Sequence, residues 1–264
     1  MFLLIYLALG VFAGLTAGVF GIGGGMIIVP GLIYCFALQG VGDTVAVHMA
    51  VGTSLATIVM TSISSVRTHH KLGNVDWQTW RFLAPGIALG VMLGVAVASQ
   101  MSGSWLKLVF AIFAFLIALQ MWFGVTAHGG RNLPGKAALS ATGSGIGFLS
   151  ALFGIGGGSL TVPFLSWCNV RMQAAVATSA ACGLPIAIVG AISNMVAGYG
   201  HPDLPAWTTG YVFWPGFLGI VLLSTPFARI GAKLAQGLSG AKLKRSFAVF
   251  QFVVACYLFY GALF

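Results

Sequence analysis

The chain has 264 residues, of which 59% are hydrophobic and only 6% charged, with a net charge of +9. A soluble globular domain carries about 25% charged residues, so the composition excludes one and places the chain in a lipid bilayer, with membrane lipid around its apolar faces. The twelve Lys and Arg lie between apolar segments, where they set topology, so no nucleic-acid partner is expected.

In chain order the apolar pieces run 2–19, 26–38, 45–66, 82–99 and 108–126, then 137–152, 159–167, 174–197, 208–228 and 246–263. They are continuous apolar runs, not alternating ones, which predicts an all-α polytopic membrane protein and not a barrel. Residues 1–20 lack the basic n-region of a signal peptide, and their counterpart recurs at 137–153, so they are expected to be retained structure. The sequence divides into a transmembrane repeat over 1–126, a short cytoplasmic linker over 127–136 and a second transmembrane repeat over 137–264.

The repeat is plainest at one stretch spelled twice. Residues 20–30 read FGIGGGMIIVP and residues 153–163 read FGIGGGSLTVP. Further on, AVGTS at 50–54 answers AVATS at 175–179, and Pro85-Gly86 answers Pro215-Gly216. A glycine cluster breaks a helix, because each Gly costs about 1 kcal/mol against Ala in a helix interior. If the segment after each cluster is helical, its unpaired N–H groups and the positive end of its dipole face the glycines, which makes an anion site from backbone alone. The candidate substrate-binding residues are therefore Gly21, Gly23, Gly24 and Gly25 in the first half and Gly154, Gly156, Gly157 and Gly158 in the second. The competing explanation is that the glycines only let helices approach closely.

Basic residues orient the halves. Arg67, Lys71 and Arg81 follow the third piece of repeat one, whereas repeat two places Arg229, Lys233, Lys242, Lys244 and Arg245 after its fourth piece. The bias has switched loops, as it does when each half crosses an odd number of times and the halves are inverted, with both termini outside and Lys107 the lone external base. Interrupted helices of inverted halves meet near the bilayer midplane at the substrate site of secondary transporters. The basic segment 229–245 is expected to rest on anionic headgroups.

Only Asp43, Asp76 and Asp203 are acidic, and all three fall between apolar pieces, so no buried carboxylate is offered to a cation or a proton relay. Anion handling fits this inventory. Thr53, Ser54, Thr178 and Ser179 occupy equivalent positions after the glycine clusters and are candidate hydroxyl donors, unless each bonds its own helix carbonyl. Asn194 is a further candidate, with Ser193, Ser64 and Ser65 weaker ones. His48 is expected at the membrane interface. His69 and His70 beside Lys71 are expected in a solvated cytoplasmic loop, with a pH-sensing role left open. Cys35, Cys168, Cys182 and Cys256 show no CxxC spacing, so neither a disulfide framework nor a metal site is expected. No cofactor and no enzymatic activity are expected, and a homodimer is compatible with the sequence.

At the twin GIGGG motifs, the Thr-Ser pairs after them and the segment RTHHKLGNVDW at 67–77, the chain resembles the sulfite exporter TauE/SafE family over nearly its whole length. The resemblance implies an inner-membrane permease for small sulfur-containing anions such as sulfite, thiosulfate or sulfonates, sulfoacetate among them. It also implies about eight spans in two four-span halves, against the odd number per half that the charges favour. Two other readings compete: a passive anion channel with the same filter, and a membrane thiol-relay protein working through Cys35 and Cys168.

Overall fold

A computed structural model describes residues 2–20, 24–123, 132–235 and 240–263. Among them the first half forms α1 (Phe2–Phe20), α2 (Gly25–Leu38), α3 (Asp43–Lys71), α4 (Trp77–Gln100) and α5 (Gly103–Phe123). The second half forms α6 (Lys136–Phe153), α7 (Gly158–Trp167), α8 (Met172–Ala197), a hairpin of β1 (Thr208–Thr209) and β2 (Val212–Phe213), then α9 (Trp214–Ala235) and α10 (Gly240–Leu263). This is an all-α polytopic membrane protein, with α3, α4, α5 and α8 long and apolar enough to cross a bilayer. The second helix of each half is short: α2 has 14 residues and α7 has 10. At about 1.5 Å per residue neither spans a hydrocarbon core of about 30 Å.

Two expectations need correction. Residues 67–71 are not loop; they are the last turns of α3, so His69 and His70 are helical. Residues 208–213 do not begin the ninth helix. They form the antiparallel hairpin, with Thr208 opposite Phe213 and Thr209 opposite Val212, because Gly210 at φ +52° turns the chain between them.

The axis of the molecule is the pair α3 and α8. In α3 72% of the apolar window is buried, against 39% in the peripheral α5. The two run antiparallel: Gly52 lies by Asn194, Gly190 by Leu55 and Gly183 by Ser62. Around this pair the halves interlock reciprocally, α1 packing on α9 and α4 on α6. Both outer contacts are made through glycine. A Cβ on Gly10 would stand 2.6 Å from the Ile220 carbonyl oxygen and one on Gly143 would stand 2.5 Å from that of Leu83, while Gly86 and Gly90 rest directly on the carbonyls of Ser140 and Ser144. Apolar side chains gain little by leaving lipid, so such close backbone approach supplies much of the adhesion. The same contacts align Trp77 with Trp214 at the start of α4 and α9. That register is seven residues away from the one that matches Pro85-Gly86 to Pro215-Gly216.

Close packing predicts a contrast between two glycines. Gly90→Ala drives a methyl into the Ser144 backbone and should cost about 1–3 kcal/mol by overpacking. Gly145 has open space around its Cβ position, so Gly145→Ala should be neutral or stabilising by up to about 1 kcal/mol. Unfolding of the two purified variants in detergent checks the pair.

Candidate functional site

The glycine motifs end one helix and begin another. Gly154 adopts φ +58°, a left-handed conformation that glycine takes without penalty. Its N–H donates to the Ala151 carbonyl at 3.4 Å, and that of Ile155 donates to Ser150 at 3.1 Å, which closes the C-terminus of α6. Gly157 then caps α7, its carbonyl accepting from Thr161 N–H at 2.8 Å, and Gly24 caps α2 in the same way for Ile28 N–H at 2.9 Å. The N–H groups of Gly156, Gly157 and Gly158 have no hydrogen-bond acceptor among the described residues.

The two motifs touch. A Cβ on Gly25 would lie 2.5 Å from the Gly154 carbonyl oxygen, and one on Gly154 would lie 3.0 Å from Val51 Cα. Contacts at Val51 and Ile58 place the junction midway along the 29 residues of α3. Gly21 and Gly23 lie outside the described residues.

A cavity of about 430 Å³ opens from this junction. Its inner end is formed by Gly24, Gly156, Gly157 and Gly158, so the N-termini of α2 and α7 share one space. It then follows the C-terminal half of α3, from Ile58 past Ser62 to Thr68 and His69, a run of about 16 Å at the helical rise. Thr68 is exposed, so the cavity reaches water at that end. Among the described residues, no Asp, Glu, Lys or Arg lines it. Ser179 does, and its hydroxyl is buried without a hydrogen-bond partner.

The remaining predicted residues are placed elsewhere. Thr53 and Thr178 are fully buried and accept main-chain N–H bonds at 2.9 Å, Thr53 from Phe213 and Thr178 from Asp76. Each thus ties the start of the opposite half's fourth helix to the central pair. Ser54 donates to the Gly154 carbonyl at 2.7 Å, and the Asn194 amide donates to its own helix at Gly190, 2.8 Å. Sequence reasoning passed over Thr61, Ser62 and Thr68, which line the cavity. The available signal was their spacing with Ser64 and Ser65, which puts hydroxyls on one face of α3 at intervals of three and four.

Across the junction the other end is sealed. Tyr211, at the turn of the hairpin, packs against His48 with ring centroids 5.1 Å apart and the planes tilted by 31°, and its N–H donates to the Asn194 carbonyl at 3.1 Å. His48 is itself buried, not interfacial, with Nε2 3.0 Å from the Ala98 carbonyl. Beside it the buried Lys107 pairs with Asp43 at 2.5 Å.

The profile of the sulfite exporter TauE/SafE family matches residues 6–258. A probable membrane transporter protein of Haemophilus influenzae is 37% identical over 98% of both chains. Similarity extends to probable membrane transporter proteins of Methanocaldococcus jannaschii, 30% identical over 89% of this chain and 87% of that one, and of Bacillus subtilis, 28% identical over the full length of both.

The bonding pattern separates structural hydroxyls from an unengaged one. Thr53→Val and Thr178→Val each strand a main-chain N–H and should cost about 1–3 kcal/mol, whereas Ser179→Ala, which loses no partner, should unfold like wild type. Thermal denaturation of the three variants in one detergent decides this.

Proposed function

We propose that this chain, which belongs to the sulfite exporter TauE/SafE family and is a multi-pass membrane transporter, carries small sulfur-containing oxyanions such as sulfite, thiosulfate or sulfonates (sulfoacetate among them) across the inner membrane by alternating access. It acts as a permease, without covalent chemistry on its cargo. The observation that carries this reading is the inner end of the cavity, where two helix N-termini and the unpartnered Ser179 hydroxyl converge. Each terminus contributes about half a positive charge, and together they balance roughly one negative charge. The N–H groups of Gly156 to Gly158 supply the donors, as backbone does at other anion sites.

Alternation follows from inverted halves, a reading supported by the antiparallel run of α3 against α8 and the reciprocal packing of α1 on α9 and α4 on α6. Arg67 and Lys71 stand at the open end of the cavity, on the side the positive-inside rule assigns to the cytoplasm. This supports reading the open end as the cytoplasmic one, in an inward-open state. Rocking one half against the other exchanges the open and sealed ends and exposes the same glycines to the outside. The seal at Tyr211 and His48 speaks against a continuously open anion channel. A thiol relay lacks support as well, since Cys35 and Cys168 are both buried and neither lines the cavity.

Gly156 offers the cleanest test. Its Cβ position has only Ile58 Cγ2 nearby, at 3.5 Å, and it lines the cavity. Gly156→Val should leave stability within about 1 kcal/mol of wild type, an ordinary surface-like effect, while weakening binding of sulfite or methanesulfonate by the purified protein at least about tenfold, equivalent to about 1.4 kcal/mol. Unchanged affinity in that variant would contradict the backbone site.

A further inference from the structure

Among the described residues lining the cavity, His69 is the only one with an ionisable side chain. It stands in the last turn of α3, half-buried, with a buried Nδ1 that has no hydrogen-bond partner. An anion leaving the glycine end for the cytoplasm must pass this ring. Along the way it meets hydroxyls of Ser62, Ser64, Ser65 and Thr68, none of which can change charge.

The surroundings leave the ring free to change charge. On its own helix, Arg67, His70 and Lys71 are exposed, and His70 accepts a hydrogen bond from Trp77 Nε1 at 3.3 Å. Among the described residues, the other elements present to the cavity only Ala13, Gly14 and Ala17 of α1, Gly24 and Ile28 at α2, the glycines at the start of α7, the Val176–Gly183 face of α8, and Ser224, Thr225 and Ala228 of α9. None of these titrates. Asp76, the nearest acid in sequence, is occupied in capping α4 through Gln78 and Thr79. No carboxylate therefore competes with a bound anion for a proton on His69.

We infer that His69 couples anion passage to a proton. The imidazole takes a proton from cytoplasmic water when an anion occupies the cavity, and the ring then carries a positive charge and two N–H donors, one of which can serve the anion. Release of the anion to the cytoplasm returns the proton to water. Binding and protonation strengthen each other reciprocally, because each favours the same charged pair. The inference rests on the anion site proposed above, but it adds a reversible protonation to each anion-binding event and assigns it to one residue.

Calorimetric titration of the purified, full-length protein with methanesulfonate, an anion whose charge is constant between about pH 5.5 and about pH 8, tests it across the range in which histidine titrates. Buffers of different ionisation enthalpy report protons taken up. Wild type should bind more tightly as pH falls, by up to about tenfold per unit for one linked proton, with uptake approaching one proton per anion. His69→Gln should bind without pH dependence or proton uptake. His69→Arg, which carries a fixed charge, should bind tightly at both ends of the range, and His70→Gln should keep the wild-type slope. A slope that survives in His69→Gln, or wild-type binding that ignores pH, would overturn the coupling and leave the anion site standing. No wild-type binding at any pH would overturn the anion site, and the coupling with it.

Discussion

In a bilayer every backbone N–H must find an acceptor within the protein or a water-filled cavity, since hydrocarbon offers none. Each glycine motif separates two helices, and the two motifs touch at Gly25 and Gly154. Their carbonyls are provided for: Gly24 and Gly157 cap the helices that follow, and Gly154 accepts from Ser54. The N–H groups of Gly156, Gly157 and Gly158, residues that line the cavity, have no acceptor among the described residues. The surrounding architecture holds that arrangement. Glycine-mediated contacts of α1 with α9 and α4 with α6 fix the frame, and α3 and α8 hold the two breaks at one level.

The two halves are alike in sequence, yet their equivalent hydroxyls are in different states. Ser54 is bonded to the opposite motif, whereas Ser179 is buried and unpartnered beside the cavity. Thr53 and Thr178, one residue earlier, behave alike and hold the loops before α9 and α4. In the alternating-access cycle proposed above, the two serines would exchange states between the open forms, while the threonines keep the frame intact in both.

Much of this was legible in the sequence because it depends on local composition. Continuous apolar runs gave the helices, and the duplicated FGIGGG gave the breaks and the repeat. Proximity in space was not legible. Nothing in the order of residues says that Thr53 meets Phe213 across 160 positions, or that the hydroxyl face from Thr61 to Thr68 lines a cavity and does not serve α3 itself. Two histidines beside a lysine look solvated, which predicts a loop at His69. In the fold the helix continues past them and turns one ring inward and the other out. The hairpin at 208–213 was absorbed into an apolar run because hydropathy does not register a single left-handed Gly210.

On the proposed function, one cavity, ending at the paired glycine motifs, opens to the cytoplasm and holds the anion. Ala180 lines it opposite α3, so a lone cysteine placed there, with the four native cysteines replaced, can be probed with a membrane-impermeant thiol reagent from either side of oriented vesicles. Labelling from the cytoplasmic face that saturating methanesulfonate suppresses is the result this account predicts. Labelling from the external face alone, or cytoplasmic labelling that the anion leaves untouched, would contradict it.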